Sequence, residues 1–215
     1  MMDFDPLVLE SRAARMRHFQ EHRQLFATLN STGQSPQILF LGCNDSRVIP
    51  EAILGAKPGD LFVLRSIANV VPPYGIGERA VGATLEYAVN HLAVKHILLC
   101  GHTDCGIVKI LDAGPGSLDA LNEPDLTRWI EYARPAQTRV DAYGIDAESR
   151  HRAIVEQNVL LQQENLCTYD VVRKALSAGT LELHAWVYDV FTGRISVWDS
   201  GSERFLDEGA EETTA

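Results

Sequence analysis

The run Ile38-Leu39-Phe40-Leu41, bounded by Pro36 before it and Gly42 after it, limits the fold more than any other stretch. Four apolar residues are too few for a buried helix. A bounded run of this length reads as a strand covered on both faces. Directly after it come a thiol at Cys43, a carboxylate at Asp45 and a guanidinium at Arg47. In an open α/β sheet, ligands bind at the carboxyl ends of strands. His96 to Gly101 is a second strand-like run and leads into His102-Thr-Asp-Cys105.

Cys43, His102 and Cys105 therefore fall at two strand ends, with a helix expected to begin near Cys105. Two thiolates and an imidazole make a soft three-ligand set, for which zinc is the first choice. Three protein ligands with a fourth position free is the pattern of a catalytic zinc. A lone Cys at a strand end is more often a small buried hydrophobe. The joint occurrence beside Asp45 and Arg47 outweighs that reading. Cys100 and Cys167 have no such partners and read as core residues.

Other motifs fail on detail. Gly75-x-Gly77-x-x-Ala80 follows Pro72-Pro73-Tyr74 rather than a strand, and Lys95 stands where an acidic ribose partner belongs. Gly101-x4-Gly106 lacks the lysine of a P-loop directly after its second glycine. Cys100 and Cys105 do not have the spacing of a redox pair.

The chain reads as α/β. A mostly parallel central sheet carries flanking helices, an antiparallel edge hairpin at the C-terminus and a helical N-terminal arm. Helices are expected over about 6–29, 49–54, 78–92, from 105, and over 124–140, 147–163 and 169–176. Strands are expected over 38–41, 61–64, 95–100, 181–190 and 194–198. With 215 residues and no repeats, one domain over 31–206 suffices, after an arm at 1–30 and before an acidic tail at 207–215 that reads as disordered. The net charge of −10 argues against a nucleic-acid partner, whose binding rests on basic patches. No stretch is long enough to span a membrane. Nothing resembles a secretory signal, and paired thiolates favour a reducing compartment, so a cytoplasmic protein is expected.

The segments CNDSR, RSIANVVPPY, EYAV, KHILLCGHTDCG and LHAWVYDVFTG, in that order, resemble the β-class carbonic anhydrases, and GQSP with VPPY resembles their plant-like branch. The resemblance implies one zinc per subunit and reversible hydration of carbon dioxide to bicarbonate plus a proton. It implies that Arg47 holds Asp45, that Asp45 orients the attacking oxygen, and that Asp45 takes the fourth zinc position in a closed form. It implies that Gln34 binds substrate from a neighbouring subunit. Phe62, Ile67 and Tyr87 line an apolar pocket on the same grounds, ordinary core packing being the other reading. The arm crosses onto a partner, giving a homodimer or larger even oligomer. Ser66, Ile107 and Phe40 depart from common family residues, which bears on pocket shape and regulation. Two other functions stay open here: hydrolysis of carbonyl sulfide or carbon disulfide on the same scaffold, and a noncatalytic zinc-stabilised structural or regulatory protein.

Overall fold

The computed structural model describes residues 6–76, 79–113, 116–117 and 122–208. Six strands form one sheet: β1 (Ile38–Cys43), β2 (Leu61–Ser66), β3 (His96–His102), β4 (Glu182–Tyr188), β5 (Ile195–Asp199) and β6 (Arg204–Asp207). Their order is β2-β1-β3-β4-β5-β6. The first four are parallel and the last two antiparallel. The expected α/β architecture is the one observed.

Strand β1 lies between β2 and β3, and Leu39, Phe40 and Leu41 are almost wholly buried, which is why the run carries no polar residue. Leu39, Leu41 and Cys43 face the larger core cluster, and Phe40 faces the smaller one with Leu98 and Cys100. Gly101 of β3 has a structural reason to lack a side chain. A Cβ there would lie 2.5 Å from Val159 on the helix packed over the strand.

The helices are α1 (Pro6–Glu21), α2 (Arg23–Thr32), α3 (Pro50–Leu54), α4 (Arg79–Glu86), α5 (Gly106–Asp112), α6 (Pro124–Ile130), α7 (Arg134–Tyr143), α8 (Ala147–Leu166) and α9 (Asp170–Ser177). Four details correct the sequence reading. The arm bends at His22 (φ −110°, ψ 19°) into two helices. The helix expected over 124–140 is divided by a tight turn at Glu131–Ala133, because Pro135 can enter only the first turn of a new helix. The helix after Arg79 widens at Tyr87–His91, where the Leu92 N–H reaches the Tyr87 carbonyl at 3.0 Å. Asp207 is not part of a tail: it ends β6, and its carboxylate accepts a hydrogen bond from Ser196. The rest of the expected tail, from residue 209, lies outside the described residues.

Helix α8 does more than cover the sheet. Asn158, Gln162 and Asn165 recur at i, i+4 and i+7, so they share one face. All three are buried. Asn158 donates to the Ala68 carbonyl at 3.0 Å, and Gln162 accepts the Val71 N–H at 2.9 Å. Asn165 donates to the Val71 carbonyl at 2.9 Å. Tyr169, just beyond α8, donates to the Pro72 carbonyl at 2.8 Å. The loop after β2 thus has its backbone satisfied by side chains instead of a strand partner. This matters because Ala68 (φ 56°) and Asn69 (φ 49°) hold left-handed conformations, which are costly for residues with a Cβ.

Gln162→Leu keeps the volume but leaves the buried Val71 N–H without its acceptor. The expected loss is about 1–3 kcal/mol of folding stability. Urea unfolding of the zinc-loaded protein at fixed concentration measures it, and an unchanged midpoint would contradict the role given to this side chain.

Candidate metal centre

The parallel register sets Gly42 of β1 opposite Cys100 of β3, so both strands end at the same edge of the sheet. Cys43 is the last residue of β1 and His102 the last of β3, and Cys105 caps the first turn of α5. All three are buried, and their ligating atoms lie within 4.8 Å of one another. The sequence placed these residues together, and the structure does the same.

The residues fit a zinc ion on two counts. The His102 Nδ1–H donates to the Thr103 carbonyl at 2.8 Å, which leaves Nε2 as the ring atom with a free lone pair. That Nε2 is buried and has no hydrogen-bond partner. An orphaned imidazole nitrogen beside two sulfurs matches the donor set that zinc prefers. The thiols also interact with each other. A hydrogen bond from Cys105 holds Cys43 well below the ordinary thiol range, with His102 assisting, and the same contact raises Cys105. The Ile107 and Val108 amides at the start of α5 partly oppose that rise.

Asp45 lies just beyond β1. Arg47 grips it through two parallel bonds, Nε to Oδ1 at 2.9 Å and Nη2 to Oδ2 at 2.8 Å, and the Arg47 N–H adds a third at 2.9 Å. This fork holds the Asp45 carboxyl far below the usual carboxylate range, despite its partial burial. Oδ2 stands 3.9 Å from the orphaned His102 Nε2. Arg47 is itself fixed from the other side: Nη1 donates to Asp104 Oδ2 at 2.8 Å and Nη2 to the Asp104 carbonyl at 3.2 Å. Asp104 also pairs with Lys109, and the two cations bring its carboxyl down to about 2. Asp104 takes a left-handed conformation (φ 59°) between the two ligands of the HTDC segment, a conformation that aspartate tolerates better than most residues.

Arg65 completes the frame, donating to the Cys43 carbonyl at 3.0 Å and the Asp45 carbonyl at 2.6 Å. Reading the sequence gave no structural task to Asp104 or Arg65. A signal was present for Asp104, an acid between two ligands, but its partner is remote in the chain.

A cavity of about 380 Å³ opens beside Cys43, Asp45 and Cys105, with Ile67, Ile107, Ile110 and Leu126 as its apolar wall. The Trp129 indole donates to the Ile67 carbonyl at 3.0 Å and steadies that wall. Of the expected pocket residues, only Ile67 reaches this cavity within one chain. Phe62 and Tyr87 pair with each other, ring centroids 5.8 Å apart, and Phe62 stands opposite Leu39 rather than Cys43. Gln34 is exposed in the linker after α2. Among the described residues, no helix is long and apolar enough to cross a membrane.

Cys167, read from the sequence as a core residue, is in fact exposed, just past the end of α8. Cys105→Ser is expected to release zinc, whereas Cys167→Ser, outside the cluster, is expected to retain one ion per chain. Metal analysis of the purified variants decides the matter. Full zinc in the Cys105 variant would overturn the ligand set.

Residues 38–195 match the carbonic anhydrase family. A carbonic anhydrase of Pseudomonas aeruginosa is 43% identical over 184 residues, covering 85% of this chain and 82% of that protein. Among solved structures, the β-carbonic anhydrase CcaA superposes with a TM-score of 0.85 at 36% identity, covering 93% of this chain and 97% of that one. One of two tetrameric β-carbonic anhydrases from Sordaria macrospora superposes with a TM-score of 0.72 at 33% identity, covering 88% and 93% of the two chains. The chain belongs to the β-carbonic anhydrase family.

Proposed function

We propose that this protein is a zinc-dependent carbonate dehydratase, interconverting carbon dioxide and water with bicarbonate and a proton. The observation that carries this reading is the orphaned His102 Nε2 beside two thiols, facing a carboxylate that its arginine keeps ionised. Zinc supplies Lewis acidity there, bringing the pKa of a water molecule to about 7.

Every other step belongs to the chain. Cys43, His102 and Cys105 hold the ion, and the Thr103 carbonyl fixes the ring of His102. Asp45, held as a carboxylate by Arg47, can only accept hydrogen bonds, so it aligns the attacking oxygen by accepting a hydrogen bond from it. Arg47 locks that carboxylate, and Asp104 with Lys109 locks Arg47. Ile67, Ile107 and Leu126 offer an apolar surface to a small nonpolar gas and keep bulk water from its carbon. A closed form, in which Asp45 would be a fourth ligand, would draw on the Oδ2 that faces His102 Nε2 at 3.9 Å and accepts from Arg47 Nη2 at 2.8 Å.

The site is completed by a second copy of the chain, which brings Gln34, Phe62 and Tyr87 to the cavity. Two facts support this. These residues stand away from the cavity in their own chain, and the arm is unburied, with Val8, Met16 and Phe19 exposed. The single α/β domain then follows α2 and extends through Asp207, the end of β6, with the arm as its oligomer contact. We take its compartment to be the cytoplasm, because thiolate ligands are most easily kept reduced in a reducing compartment.

Stopped-flow carbon dioxide hydration on zinc-quantified protein tests the reaction. Activity proportional to zinc is expected, and Arg47→Ala is expected to lower it by about 10–100-fold with zinc retained. Full zinc without hydration, or turnover of carbonyl sulfide in its place, would overturn the reading. For the shared site, chains carrying Gln34→Ala and Cys105→Ser, each deficient alone, are expected to regain activity on mixing. Each mixed pair would contain one complete site. No recovery in a verified mixed oligomer would remove Gln34 from the partner's site.

A further inference from the structure

The far end of the sheet carries a second cluster of ligating side chains. His96 opens β3 and Glu182 opens β4, and the two are register partners. His184 lies opposite Leu98, two residues further along both strands. By the two-residue alternation of strands, all three side chains therefore project from one face of the sheet. His96 is about 20 Å from His102 along the same strand, at 3.3 Å per residue.

We propose that His96, Glu182 and His184 bind one borderline divalent transition-metal cation, at a site separate from the Cys43–His102–Cys105 centre.

Three atoms define the site. His96 Nδ1 is 3.1 Å from His184 Nε2, and Glu182 Oε2 is 3.5 Å from the first and 3.8 Å from the second. The corners of that triangle lie about 2.0 Å from a common centre, which is the length of a zinc–imidazole or zinc–carboxylate bond. Two imidazoles and one carboxylate select zinc, nickel, cobalt or copper over magnesium or calcium. Without a cation, the close approach of the ring nitrogens is a single hydrogen bond, in which one ring must be a neutral acceptor. Neutral imidazole is also the form that binds metal. Burial, and the nearby His96, disfavour the charged form of His184.

The backbone beneath the cluster is rigid. The Lys95 and His96 N–H groups donate to the Gln37 carbonyl at 2.9 and 3.1 Å, and the Glu182 N–H donates to the Lys95 carbonyl at 2.9 Å. Ligands on such strands need little ordering to meet an ion. All three side chains keep solvent access, at 38%, 70% and 36% exposure for His96, Glu182 and His184, so water can fill the remaining positions. A cation here fastens the first residues of β3 to those of β4. It stabilises the fold in proportion to its occupancy.

The competing cluster is His18, Glu21 and His22 on the exposed arm. The test separates the two. Zinc-loaded protein is titrated with nickel(II) by calorimetry, and its zinc content is measured before and after. One nickel per chain is expected, with zinc retained and a raised unfolding temperature. His184→Ala and Glu182→Gln are each expected to weaken nickel at least about tenfold, equal to about 1.4 kcal/mol. The double variant His18→Ala/His22→Ala is expected to bind as the parent does. Glu182 is largely exposed, so its variant retains the fold. The proposal is overturned by the absence of saturable binding, by binding that survives both strand variants, by binding lost with the arm histidines, or by heat that tracks zinc release. None of these outcomes depends on the hydration reaction.

Discussion

The parallel pairing of β1 with β3 is the constraint on which the site depends. It brings Cys43 and His102 to one edge of the sheet from positions far apart in the chain. A slip of one residue would turn Cys43 to the opposite face, since side chains alternate with a period of two. The register is held because Leu39 and Leu41 belong to one core cluster and Phe40 to the other, so a slip would exchange well-fitted apolar faces. Gly101 adds a second condition. Its bare Cα lets Val159 of α8 sit against β3 next to the ligand.

That close approach has a consequence for the cavity. With α8 seated on β3, its buried amides reach the loop after β2 and hold Ala68 and Asn69 in left-handed conformations. Burying Asn158, Gln162 and Asn165 is costly unless their polar atoms are paired. The bonds to Ala68, Val71 and one another offset that cost and convert it into position. Ile67 stands directly before this loop, so a helix that contributes no metal ligand decides where the apolar wall stands.

The legible and illegible parts of this molecule divide along the range of the interactions. The strands and the three ligands were readable because each apolar run ends in the residue that acts, and the HTDC spacing is local. Arg47 beside Asp45 was readable for the same reason. Asp104 was not, because its bond to Arg47 joins residues 57 apart. The amide face of α8 was hidden more deeply. Asn, Gln and Asn at helical spacing look like a solvated surface until a loop more than 90 residues upstream is placed against them. Strand β6 is four residues long and has no pattern of its own. It forms because β5 offers an edge and Trp198 offers a ring to Phe205, centroids 5.3 Å apart. The break before α7 did have a local signal, Pro135, which outweighs the hydrophobic periodicity running through it.

The geometry of β2 also bears on the proposed sharing of the pocket between two chains. Cys43 pairs with Ser66 and Leu39 with Phe62, so Phe62 stands four residues back from the metal edge, about 13 Å along the strand. No rotation about its side-chain bonds spans that distance. Tyr87 packs at a tilt on Phe62, stacks on His91 and goes with Phe62, and 45% of its surface faces solvent. Ile67, at the cavity, is also 36% exposed, so the apolar wall ends abruptly at the surface. An incomplete wall at one place and exposed aromatics at another are what a two-fold contact reconciles, since a symmetric pair presents each to the other's complement. The unburied arm then has a function in the same arrangement. In the proposed dimer it would carry exposed apolar side chains such as Val8, Met16 and Phe19 across the boundary and hold the two half-pockets together.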